Sequence, residues 1–154
     1  MAINARFVHT NLVARDWKRL ARFYEQVFGC TPVPPERDLA GQWLDEATDL
    51  SGAHIRGIHM RLPGYGDGGP TLEVFQYAPE MEPSTPAVNR PGFGHIAFAV
   101  DDVEVTRQAV LAAGGGELGK IAAVEVAGAG AITFAYLTDP EGNIIEVQRW
   151  EKNG

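Results

Sequence analysis

The chain of 154 residues contains a single cysteine, Cys30, and only two serines, Ser51 and Ser84. One thiol excludes an intrachain disulfide framework and fits a reducing, cytoplasmic setting. Neither serine stands in a G-x-S-x-G elbow, which argues against a serine hydrolase. No apolar run approaches the ~18 residues of a membrane span, and the opening MAINARFVHT lacks the apolar stretch of a signal peptide. Positive charge is in deficit: 13 Lys and Arg against 20 Asp and Glu give a formal charge of −7, unlike a binder of nucleic-acid phosphates. No phosphate-loop or dinucleotide-binding pattern occurs, so Gly114-Gly115-Gly116 reads as a helix stop and no nucleotide cofactor is expected. Turn-forming residues are plentiful, with 18 Gly and 10 Pro. They favour many short strands in a chain of one-domain size.

The prolines concentrate in PEMEPSTPAVNRP, residues 79–91, which carries no apolar periodicity and reads as an extended connector. It separates module 1, about 5–78, from module 2, about 92–150. The modules begin alike, FVHTNLVARDWKRLARFYEQVFG against FGHIAFAVDDVEVTRQAVLAAGG. One offset of 86 pairs Phe7 with Phe93, His9 with His95, Asp16 with Asp102 and Gly29 with Gly115. Each opening predicts a strand, an acidic N-cap, a helix and a left-handed glycine stop. Trp17, Leu20, Tyr24, Val27 and Phe28 recur at helical spacing; Val103, Val110 and Ala113 repeat the pattern more sparsely. Further strands are expected at 41–45, 55–62, 121–127 and 131–138, with turns at Gly128-Ala129-Gly130 and over 139–143. The modules also close alike, on TLEVFQYAP and NIIEVQRW. The interval from His to Glu is 13 residues longer in module 1, a surplus expected within PPERDLAGQWLDEATDLSGAH. The fold class is α+β, built of two tandem βαβββ modules.

Each module supplies one His on its first strand and one Glu on its last: His9 with Glu73, and His95 with Glu146. A carboxylate amid aliphatic strand residues is costly to bury unless something pairs with it. Equivalent carboxylates, each with an equivalent imidazole, point to a divalent cation, and this donor mixture suits Zn, Ni, Co, Mn or Fe. Four protein donors on an octahedral ion leave two positions for water or substrate.

The segments FVHTNLVARDWKRLARFYEQVFG, TLEVFQY, GFGHIAFAVDD and DPEGNIIEVQRW together resemble the vicinal oxygen chelate superfamily. That superfamily includes glyoxalase I, methylmalonyl-CoA epimerase, extradiol dioxygenases, and fosfomycin and bleomycin resistance proteins. The resemblance implies a curved, open half-barrel sheet and a metal held by His9, Glu73, His95 and Glu146. A His/Glu/His/Glu set is similar to that of bacterial-type glyoxalase I (lactoylglutathione lyase). It implies a lyase or isomerase that transfers a proton next to a carbonyl through a metal-stabilised enediolate, with Glu146 or Glu73 as the catalytic base. The substrate class so implied is a small carbonyl compound or its thiol adduct. Alternatives within the same resemblance are a non-catalytic drug- or natural-product-binding protein, an Fe(II) dioxygenase and a CoA-ester epimerase. A homodimer is implied as well, with no nucleic-acid or membrane partner. His54 and His59 read as locally satisfied strand residues, Arg56 and Arg61 as surface charge, and Cys30 as a small packed residue.

Overall fold

The computed structural model describes residues 1–151. The chain divides into two compact units, Met1–Glu82 and Pro83–Gly154. The division falls inside the proline-bearing segment, where residues 79–95 form neither helix nor strand.

Unit 1 runs β1 (His9–Val13), α1 (Trp17–Phe28), β2 (Thr31–Ala40), α2 (Gln42–Thr48), β3 (His54–Arg61) and β4 (Thr71–Ala78). Helix α1 starts where the Asp16 carboxylate accepts the Arg19 amide at 3.0 Å. It stops at Gly29, whose φ of +69° is a conformation glycine adopts without penalty. Its buried stripe is Trp17, Leu20, Ala21, Phe23 and Tyr24, while Val27 and Phe28 are only half-buried. The sheet order is β1-β4-β3-β2. Strands β1 and β4 are parallel, and the other pairs are antiparallel. Apolar residues Ile58, Met60, Leu72 and Val74 are buried on the strands against which α1 packs.

The strand expected at 41–45 is instead the helix α2, and the preceding PPERDLA belongs to β2. Gly41, at φ +133°, ends the strand. Asp45 ties the following turn back to the helix, its carboxylate accepting the Gly52 and Ala53 amides at 2.8 Å each. Leu44 packs with Ala53, Ile55 and Phe75. The prolines of β2 are tolerated because it is an edge strand with only one neighbour to satisfy.

Unit 2 runs β5 (Ile96–Ala99), α3 (Val103–Ala112), β6 (Gly116–Glu117), β7 (Ala122–Val126), β8 (Gly130–Thr138) and β9 (Ile144–Glu151). Strands β6 and β7 both pair with β8, so together they stand for one interrupted strand of the βαβββ plan. Strand β5 lies parallel to β9, as β1 does to β4. Asp102 caps α3 by accepting the Val105 amide at 2.8 Å.

The helix stop differs from expectation. Gly114, not Gly115, has positive φ, at +93°. Gly115 is small for another reason: a Cβ there would lie 2.4 Å from the Thr138 carbonyl oxygen and 2.6 Å from Val110 Cγ1.

The β8–β9 turn is organised by Asp139, the one buried polar residue among those described. Its carboxylate accepts the Glu141 and Asn143 amides at 2.9 and 3.0 Å and the Asn143 side-chain amide at 2.8 Å. The hairpin so closed sets Tyr136 opposite Glu146.

Candidate metal centre

In unit 1 the register of three strands assembles one group. Glu73 of β4 lies opposite His59 on β3, while His9 and Asn11 come from β1 on the other side. One row of side chains, on the sheet face opposite Ile58 and Met60, therefore holds two imidazoles and a carboxylate. Glu73 Oε1 lies 3.4 Å from His9 Nε2, and Oε2 lies 3.0 Å from His59 Nε2. Ligand atoms of His9, His59 and Glu73 all fall within 4.8 Å of one another. The Asn11 side-chain amide donates to Glu73 Oε1 at 2.9 Å. The His9 and His59 rings meet edge-on at 5.6 Å, and the Phe75 ring closes on His59 at 6.0 Å.

The electrostatics follow from partial burial. The Glu73 side chain is 15% exposed and that of His59 18%. Desolvation is the main cause pulling the His59 pKa below its usual value, with the nearby Glu73 charge opposing it. A neutral imidazole is the metal-binding form. Burial, helped by the Glu73 charge, raises the Tyr77 phenol above its usual range.

His59 Nδ1 lies 2.9 Å from the Thr71 hydroxyl. A hydroxyl donates or accepts, so Thr71 serves either tautomer. One tautomer gives the Nε2–H to Glu73; the other leaves the Nε2 lone pair free for a cation. Two imidazoles and a carboxylate, each within reach of one point, thus fit a divalent ion by type and by placement.

Unit 2 repeats the arrangement with one change. His95 Nε2 lies 3.0 Å from Glu146 Oε2, and the Glu146 side chain is 14% exposed, matching Glu73. The position equivalent to His59, opposite the strand glutamate, is Tyr136. Its ring lies 5.3 Å from that of His95. Ala97 is paired with Glu146 and is exposed, so no bulky neighbour on β5 covers the pair.

One expectation for the remaining residues changes. His59, read from sequence as a strand residue satisfied locally, belongs to the donor group. Arg61 lies on the same face two residues further along β3, and its nearest acid, Asp67, is 3.6 Å away. His54 and Arg56 do keep their peripheral reading. His54 pairs with Asp38 at 2.5 Å, and this bond is the chief cause of the lowered Asp38 pKa. Cys30 is buried.

A mixed α+β fold of two sheets, in which a half-buried glutamate on the last strand of each unit meets a histidine on β1 or just before β5, defines a glyoxalase-like class. The family model described as Glyoxalase/Bleomycin resistance protein/Dioxygenase superfamily matches residues 6–147, and the chain belongs to that superfamily. A curated relative, named "Probable lactoylglutathione lyase" from Vibrio parahaemolyticus serotype O3:K6 (strain RIMD 2210633), is 27% identical over 146 residues, covering 94% of this chain and 90% of its own. Among solved structures, a glyoxalase family protein from Bacillus cereus superposes with a TM-score of 0.80 at 20% identity, covering 99% of both chains. A genomically encoded fosfomycin resistance protein, FosX, from Listeria monocytogenes gives 0.60 at 14% identity, covering 97% of this chain and 96% of its own. At these identities the two structures share the fold.

Proposed function

We propose that this protein is a divalent-metal-dependent enzyme of the glyoxalase type. It moves a proton between adjacent carbons of a small carbonyl compound or its thiol adduct. The observation that carries this reading is the convergence of His9, His59 and Glu73 ligand atoms within 4.8 Å. The relative named as a probable lactoylglutathione lyase supports the choice of chemistry. The proposed metal donors are His9 and Glu73 with His59 in unit 1, and His95 and Glu146 in unit 2.

A divalent ion held by such donors supplies Lewis acidity toward the substrate's oxygen atoms. The chain's own groups do the rest. Asn11 donates to Glu73 Oε1 and orients its carboxylate. Glu146 or Glu73 takes the proton from the carbon next to the carbonyl and returns it to the neighbouring carbon. Partial burial favours that step, because water competes less for the carboxylate. The Thr71 hydroxyl keeps the His59 ring in place whichever of its nitrogens carries the proton.

The test is to strip the protein of metal and reload it separately with Ni, Co, Zn, Mn and Fe(II). Bound ion is then measured by elemental analysis, and turnover on the hemithioacetal of methylglyoxal and a thiol. A stoichiometric ion with turnover in at least one form is expected. His9→Ala should weaken ion binding, and Glu146→Gln should lower kcat. A chain that retains no divalent ion, and in which His9→Ala changes nothing, overturns the reading.

Two imidazoles and one carboxylate also make the donor set of non-haem Fe(II) oxygenases, which favours a second reading. Oxygen consumption with a catechol by the Fe(II) form alone, without hemithioacetal turnover, would select it.

A further inference from the structure

Two arginines flank the donor group on its own sheet face. Arg61 follows His59 by two residues on β3, so both side chains leave the same side of the sheet. On β2 the register sets Val33 against His59 and Arg37 against Gly57, two residues before His59. Arg61 therefore lies about 7 Å beyond His59 along β3, and Arg37 lies on the neighbouring strand, one two-residue repeat to the other side. Both are half-buried.

Counter-charge on this face is scarce. Glu73 is the only carboxylate on the β1, β3 and β4 residues that share it, and its oxygens already face Asn11, His9 and His59. Among the described residues the acid facing Arg61 is Asp67, which is fully exposed on the loop after β3, at 3.6 Å. Arg37 donates to the Pro35 carbonyl, a neutral acceptor. A chain of net charge −7 thus keeps two guanidinium groups around its candidate metal donors. Surplus positive charge against the overall sign concentrates anions locally.

We propose that the substrate of this site is itself an anion, with a carboxylate or phosphonate-like group close to its reacting carbonyl, held by Arg37 and Arg61. The inference rests on the glyoxalase-type reading and deepens it by adding a preference for small 2-oxo acids and their kin over neutral carbonyls. Planar guanidinium groups suit this task because their donors match the paired oxygens of such anions.

The experiment uses the full chain, with metal content measured first. Calorimetric titration then compares three probes of similar size: pyruvate, acetylphosphonate and the neutral butane-2,3-dione. In the metal-loaded protein at least one anionic probe should bind more tightly than the diketone, and the tighter of the two names the anion. Arg37→Gln and Arg61→Gln should each weaken anion binding about tenfold or more, leaving bound metal and diketone affinity unchanged. Arg56→Gln, on the opposite face, should change nothing. Equal anion affinity in wild type and both variants, or a preference for the diketone, overturns the inference while leaving the metal reading intact. A chain that binds no metal overturns the functional reading instead, and the same arginine comparison on metal-free protein still decides whether an anion site exists.

Discussion

Replacing Asp139 by alanine tests whether one buried carboxylate sets the geometry of the hairpin that carries Glu146. Asp139 is 2% exposed, and its carboxylate accepts from the Glu141 and Asn143 backbone amides and from the Asn143 side chain. Alanine leaves those donors without their acceptor. Unmet buried donors cost about 1–3 kcal/mol each, and water reaching the half-buried ends of this turn recovers part of that, so a net loss of about 3 kcal/mol is expected. For a chain of this length that corresponds to a fall in Tm of about 6–12 °C. Asp139→Asn separates the contributions. Both backbone amides bond to the same oxygen, Oδ1, which asparagine retains. The bond from Asn143 Nδ2 to Oδ2 is lost, so the cost should be nearer 1 kcal/mol. Thermal unfolding followed by circular dichroism, with urea unfolding as a second measure, gives both numbers. A Tm shift below about 2 °C for alanine, or asparagine as damaging as alanine, would refute the assignment of this turn to the Asp139 carboxylate.

One further substitution and one reaction follow from packing. Gly57→Ala places a Cβ 2.0 Å from the Val74 carbonyl oxygen and 2.7 Å from the Phe75 ring. It should cost about 1–3 kcal/mol and weaken metal binding by displacing Phe75 toward His59; an unchanged Tm in thermal melts would show that the strand yields freely. Burial pushes the Cys30 thiol up to about 11. About one thiol in a thousand is then ionised at pH 8, so iodoacetamide should label native protein far more slowly than urea-unfolded protein, as read by intact mass. Equal rates would contradict the buried placement.

Duplication made much of this chain legible in its sequence. Matching starts and ends of the modules placed the strands bearing His9, Glu73 and Glu146, with His95 one residue before β5, and Asp16 and Asp102 cap their helices as their positions predict. The same logic hid His59. Its counterpart, Tyr136, is not an imidazole, so a search for repeated ligand types passed over it. The usable signal was local: HIRGIHMR alternates, and pairing that strand against TLEVFQY brings His59 to Glu73. Helix α2 was hidden for a different reason. Seven residues are too few to show periodicity, and a helix that short is held by tertiary contacts such as those of Leu44 rather than by propensity. Gly114 and Gly115 exchanged roles because a glycine run does not say which member takes positive φ and which makes room for a neighbour.

The parallel pairing of first and last strands has a thermodynamic side. His9 and Glu73 are 64 residues apart in the chain, and nearly the whole of unit 1 lies between them. An ion gripping both would act as a removable clasp on that loop, forbidding the open conformations an unfolded chain otherwise explores. A covalent link around a loop of such length is worth about 4 kcal/mol in chain entropy. The centre that polarises a substrate would then double as the fastening of its own half of the molecule, and a chelator would loosen fold and chemistry together.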